Sequence, residues 1–111
     1  MNETEIELLE YLTTSGRNPF REWLEGLRDR QARAKIRVRL NRIRLGNFGD
    51  CKGVGGGVSE LRIPYGPGYR VYFGRKGNLV VILLNGGHKK TQSKDIALAQ
   101  EYWDDYLQRT T

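Results

Sequence analysis

Apolar residues recur along this chain in more than one rhythm, and each rhythm predicts a different kind of element. Phe20, Trp23, Leu24 and Leu27 share one helical face behind Asn18-Pro19, a pair suited to cap and open a helix, so a first helix is expected from about 19 to 29. From 31 to 45, Ala32, Ile36, Leu40 and Ile43 form a second helical stripe, and Gly46-Asn47 supplies the stop. A thinner apolar line, Ala34, Val38 and Leu45, lies nearly opposite that stripe. Strand rhythm comes next. Residues 58–63 and 69–73 alternate, whereas 79–84 is apolar on both faces, as in a strand covered on both sides. Gly66-Pro67-Gly68 and Arg75-Lys76-Gly77-Asn78 carry turn chemistry that joins the three into an antiparallel meander. A closing helix is expected near 93–108, capped by Thr91 or Ser93, with Asp95 at its positive end and Ile96, Ala99, Trp103 and Tyr106 or Leu107 buried. Residues 5–12 begin in strand alternation and then slip phase, which suits a bent strand or a helical turn equally.

Composition narrows the setting. A length of 111 residues is that of one domain, taken as 1–111, and 38% apolar residues are enough for a packed core. Of the 14 glycines, 12 fall between Gly46 and Gly87, and the run 53–57 reads as a mobile loop. The single cysteine, Cys51, excludes an intramolecular disulfide and a multi-cysteine zinc site, and reads as an ordinary loop thiol. Acids follow Met1 where a signal peptide needs basic residues, and no aliphatic run is longer than 79–84. A cytoplasmic protein that does not enter membranes is expected.

Charge changes the picture further. Lys and Arg number 19 against 13 Asp and Glu, and the net +6 is unevenly spread. Residues 1–25 carry six acids and two bases, 26–46 one acid and eight bases, 47–94 two acids and eight bases, and 95–111 four acids and one base. Acidic ends thus bracket a cationic centre, whose self-repulsion a purely structural surface has no reason to bear. On the second helix Arg33, Arg37 and Arg44 flank the buried stripe on one side and Lys35, Arg39 and Arg42 on the other. A polyanion or an acidic protein is the expected partner.

Candidate chemistry is sparse. With one His, one Cys and scattered carboxylates no metal-ligand spacing is present, and the glycine runs match neither the phosphate-loop nor the dinucleotide pattern, so no metal and no small-molecule cofactor is expected. Arg62 and Arg70 each sit out of phase with their apolar neighbours, and His88-Lys89-Lys90 comes after the last strand. Two guanidinium groups on one sheet face with ammonium groups at the strand end suit a phosphodiester whose charge grows in a pentacovalent transition state. Tyr65, Tyr69 and Tyr72 are stacking platforms, relays or plain packing. The plain alternatives are an Arg62 paired with a carboxylate, a solvated lysine turn and an ordinary basic helix face.

An ordered set of motifs carries a resemblance: Phe20-x-x-Trp23-Leu24-x-x-Leu27, Gly46-Asn47-Phe48-Gly49-Asp50, Val54-Gly55-Gly56-Gly57-Val58-x-Glu60-Leu61-Arg62-Ile63, Gly66-Pro67-Gly68-Tyr69-Arg70-Val71-Tyr72 and Leu84-x-Gly86-Gly87-x-Lys89-x-x-Gln92-x-x-Asp95-Ile96. From about residue 6 to 106 the chain resembles the RelE/ParE superfamily, within it the HigB-like addiction-module killer branch. The resemblance implies an α+β fold of order β-α-α-β-β-β-α: a small curved antiparallel sheet with two N-terminal helices and one C-terminal helix, residues 5–12 being strand. It implies the toxin of a bacterial type II toxin–antitoxin system, neutralised by a cognate helix-turn-helix antitoxin. RelE-like and HigB-like members are mRNA interferases, endoribonucleases acting on the ribosome; ParE-like members poison DNA gyrase.

Carried over by position, Arg62, Arg70 and Lys89 would be catalytic, without metal, on the attacking 2′-hydroxyl and its phosphate. Lys52, Lys90, Arg37, Arg39, Arg42 and Arg44 would bind RNA, and His88 and Tyr72 would relay protons or stack, the general base being left unassigned. Ala34, Val38 and Leu45 would receive an acidic antitoxin segment, unless that line packs on the first helix.

Overall fold

The computed structural model describes residues 5–110. Its elements are β1 (Glu7–Glu10), α1 (Pro19–Gly26), α2 (Arg30–Arg44), β2 (Cys51–Gly55), β3 (Val58–Ile63), β4 (Tyr69–Lys76), β5 (Val80–His88), a 3-10 turn (Lys89–Thr91) and α3 (Gln92–Arg109). The strands form one sheet in the order β1-β5-β4-β3-β2, with β1 parallel to β5 and the others antiparallel. The α+β class and the meander are therefore as the sequence implies, and the open segment 5–12 supplies an edge strand.

The sheet has one strand more than predicted. The glycine run read as a mobile loop is instead the end of β2 and its hairpin to β3. Gly55, Gly56 and Gly57 take φ of 96°, 64° and 83°, values that side chains resist and that the reversal needs. Cys51 and Val54 are half buried along that edge strand, and burial pushes the Cys51 thiol up from its ordinary value.

The helix boundaries also move. Asn18 accepts a hydrogen bond from the Arg21 N–H with Pro19 behind it, as expected, but α1 stops at Gly26. The cause is Asp29, whose carboxylate takes the N–H groups of Gln31 and Ala32 and so starts α2 instead of extending α1. The α2 end is the glycine stop foreseen: Gly46 at φ 87° lets its own N–H reach the Ile43 carbonyl and that of Asn47 reach Arg42. At α3 neither expected cap acts as one. Thr91 occupies the cap position without a capping bond; its hydroxyl oxygen accepts from the His88 N–H of the preceding turn and donates to Asp95.

Two cores sandwich the sheet. Ala32, Ile36, Leu40 and Ile43 of α2, with Phe20 and Leu24 of α1, pack on Leu61, Ile63, Val71, Phe73, Val81 and Leu83. Ala99 and Trp103 of α3 pack on Val58, Tyr72, Ile82 and Leu84. Residues 81–84 thus feed both cores alternately, which is why the run carries no polar face. A bulge in β5 then changes which residues face α3. Tyr72 is opposite Asn85 while Phe73 is opposite Leu83, leaving Leu84 as an extra residue in β5. Past the bulge the phase of β5 is reversed, and Asn85 and Gly87 turn to the α3 side.

Candidate functional site

Register sets which polar side chains meet. Directly opposed residues of antiparallel strands share a face, so Lys52, Glu60, Tyr72 and Asn85 form one row across β2 to β5 on the face that α3 covers. Arg62, Arg70 and Gly87 form the adjacent row. The two out-of-phase arginines are therefore direct cross-strand partners. Like charges placed so would repel, and the row beside them holds the compensation.

Glu60 is fully buried. Its carboxylate accepts from Arg62 Nε at 3.2 Å, from the Tyr72 hydroxyl at 3.1 Å and from Gln92 Nε2 at 2.8 Å. Arg70 Nε lies 3.8 Å from the same carboxylate, too far for a hydrogen bond, and is buried with no acceptor. The Arg70 head is otherwise held by the Gly68 carbonyl at 3.0 Å. Its side chain is 12% exposed and that of Arg62 32%, so one guanidinium is nearly sunk and the other half open. Burial and then the adjacent Glu60 push the Tyr72 phenol far above its ordinary value.

Around this pair stand the remaining candidates. Lys89 is exposed and lies beside the Gly68 turn that grips Arg70. Lys52 is exposed at the sheet edge, in the Glu60 row. At the far side Thr91 donates to the Asp95 carboxylate, and Asn85 Nδ2 donates to the Asp95 carbonyl at 3.1 Å. Asn85 Oδ1 is buried without a partner. Gly87 is what admits Asp95: a Cβ there would lie 1.8 Å from its Oδ2.

The other predicted residues lie elsewhere. Tyr72 has no exposed surface, so its ring offers no face on which a base can stack. His88 is in register with Tyr69, on the α1–α2 side of the sheet, and its Nδ1 accepts from the Lys90 N–H. Arg37, Arg39, Arg42 and Arg44 belong to α2, across the sheet from the arginine row. Arg39 alone reaches the sheet, its guanidinium donating to the Arg62 carbonyl at 2.6 Å and, at 3.4 Å, to those of Phe48 and Asp50. Ala34, Val38 and Leu45 are all exposed, so that line does not pack on α1. Ala34 and Val38 line a groove of about 460 Å³ with Ile63, Pro64 and Tyr65, bordered by Lys35, Arg39 and Arg42; Leu45 lies outside it.

Sequence reasoning missed Glu60 and Gln92 as site residues. Glu60 had a signal: two positions before Arg62 on a strand, it had to share that arginine's face. Gln92 stood in the motif that carries the resemblance but with no role attached, and Asn85 had no signal, since a bulge brings it in. Among the described residues no cluster of three or more His, Cys, Asp or Glu is placed to hold a metal ion, and no helix is long and apolar enough to cross a membrane.

Two comparisons bear on this arrangement. A family model described as "Phage derived protein Gp49-like" matches residues 22–104, from within α1 to near the end of α3. A Haemophilus influenzae strain Rd protein, described as an uncharacterized protein, is 51% identical over 81 residues, which cover 73% of this chain and 82% of that one.

Proposed function

The chain belongs to the Gp49-like family of phage-derived proteins, a RelE/HigB-type toxin family, and from that premise we propose that it is a toxin that cleaves mRNA on the ribosome. The observation that carries this reading is the cross-strand pairing of Arg70 with the half-open Arg62, two guanidinium groups on one sheet face set against a single carboxylate. One carboxylate offsets only one of the two positive charges, and an anionic oxygen of a bound phosphate at the open Arg62 edge would complement the other. The RNA 2′-hydroxyl loses its proton to solvent as its oxygen attacks its own 3′-phosphorus, the P–O5′ bond breaks, and the departing 5′-oxygen takes up a proton from solvent, leaving a 2′,3′-cyclic phosphate and a 5′-hydroxyl. Arg62 and Arg70 stabilise the charge on the phosphoryl oxygens, with Lys89 at the rim. Lys52 and Lys90 hold the strand, and the α2 arginines reach ribosomal RNA from the other side.

One observation favours a different reading. Glu60 lies within ion-pair distance of both arginines, so a resident carboxylate already serves the pair, as a non-catalytic inhibitor of DNA gyrase would allow. Transcripts after induction decide between them. The ribonuclease gives shortened mRNA, no SOS response, and no cutting at a 2′-deoxy position; intact mRNA with an SOS response overturns it. The matching variant is Arg62→Lys with Arg70→Lys, because alanine at both would strand the buried Glu60 at a cost of about 3–5 kcal/mol. Lysine keeps charge and loses the planar fork, and should lower cleavage by about 10²-fold or more.

The antitoxin partner typical of the family is proposed to seat an acidic segment in the groove of Ala34 and Val38, its carboxylates meeting Lys35, Arg39 and Arg42.

A further inference from the structure

A fully buried carboxylate beside the proposed phosphate site takes no direct part in phosphoryl transfer. Glu60 joins three elements around the arginine pair: Arg62 on its own strand, Tyr72 on β4 and Gln92 at the start of α3, with Arg70 Nε 3.8 Å away. Tyr72 and Gln92 fix Glu60 from two other elements, so the carboxylate is rigid and dictates where the arginines stand. Two guanidinium groups that are cross-strand partners would otherwise splay, since each repels the other and each is long and rotamer-rich.

We propose that Glu60 is the positioning residue of the phosphate site, an internal anion that holds Arg62 and Arg70 aligned while opposing the entry of the RNA phosphate. The inference rests on the ribonuclease reading and assigns one carboxylate two opposite effects. Alignment favours the transition state. Repulsion weakens the ground-state complex, because a resident negative charge faces the incoming one. The repulsion persists as charge builds on the phosphoryl oxygens, so Glu60 favours cleavage only because the alignment of both guanidinium groups outweighs it there.

Glu60→Gln separates the two effects. The amide retains the shape and an oxygen for Tyr72 and Gln92, but it removes the charge and turns an N–H toward Arg62. Single-turnover cleavage by the folded variant should fall by about tenfold or more, since small misplacement of charge donors is costly. Binding of a non-cleavable 2′-deoxy oligonucleotide should tighten instead, by about fivefold or more, because the repulsion of one buried unit charge is removed. Gln92→Ala, which loosens Glu60 without changing charge, should slow cleavage several-fold and leave oligonucleotide affinity as it was. It decides the matter if Glu60→Gln does not fold.

A purely structural carboxylate would lower cleavage and binding together, or neither, and either result overturns the proposal. So does a Gln92→Ala protein that cleaves at the parent rate. Failure of the ribonuclease reading is told apart by the parent protein, which would then leave ribosome-bound mRNA intact.

Discussion

Tyr72 and Tyr11 each donate a hydrogen bond to a carboxylate, and the two contacts serve different ends. Tyr72 braces Glu60 in the interior, behind the arginine row. Tyr11, just past β1, donates to Asp105 of α3 at 2.5 Å, with Arg109 paired to the same carboxylate and lying over the Tyr11 ring. That contact fastens the edge of the sheet to the closing helix. Burial, and then the hydrogen bond to Asp105, push the Tyr11 phenol up to about 12. The folded state therefore holds this proton more tightly than the unfolded chain does. The stability it contributes is complete below about pH 10 and is lost as pH rises from about 10 to about 12. Tyr11→Phe should be less stable than the parent at neutral pH, and the gap between their unfolding midpoints should close over that alkaline window. Other tyrosines and lysines titrate in both proteins and cancel in the difference. A gap unchanged from pH 8 to pH 12 would show that the phenol proton is not linked to folding.

Between elements, the fit depends on side chains that are missing. Trp103 of α3 lies so close to β4 that a Cβ on Gly74 would come within 2.4 Å of its ring, and Trp23 of α1 stands at 2.2 Å from the corresponding point on Gly86 of β5. Gly74 together with Gly57 receives Trp103 on one face and Gly86 receives Trp23 on the other, and the helices settle on the sheet there. Gly74→Ala should destabilise the protein by about 1–3 kcal/mol through forced displacement of Trp103, visible as a lower denaturant midpoint with an unchanged m-value. The same scale explains what was legible in the chain. Helical stripes such as Ala32, Ile36, Leu40 and Ile43 are periodic and local, and they fall in the core as expected. The two-sided run 79–84 announced a covered strand for the same reason. The hairpin of β2 was hidden because its turn glycines look identical to loop glycines in one dimension. The site was half legible: Arg62 and Arg70 betrayed themselves by phase, whereas Asn85 and Gly87 reach their row only through the bulge at Leu84. A one-residue slip has no signature in hydrophobic pattern, and it reverses every side chain beyond it.

Across the whole molecule the sheet acts as a partition. The arginine row and Glu60 lie on the α3 face, while the groove of Ala34 and Val38 opens on α2, backed by the other core. Neutralisation and killing should therefore be separable by mutation. Val38 is 48% exposed, so Val38→Asp should alter stability by no more than about 0.5 kcal/mol while setting a negative charge where an acidic segment must lie. Co-expressed with antitoxin, that variant should fail to co-purify and should arrest growth as if alone. Arg62→Lys with Arg70→Lys should do the reverse, losing arrest while keeping the complex. Arg39 is a groove residue unsuited to the experiment, since its guanidinium also holds the Arg62 carbonyl and its loss would disturb both faces. Val38→Asp that still co-purifies in full would move the partner off this groove, and the acidic segment would then have to be sought against the cationic rim of the other face, where Lys52, Lys89 and Lys90 stand exposed. Blocking that rim would inhibit by occupying the RNA site directly. A groove-bound antitoxin must instead act by bulk, keeping the toxin out of the ribosome while leaving its arginines free, and such a complex should still bind a short free oligonucleotide.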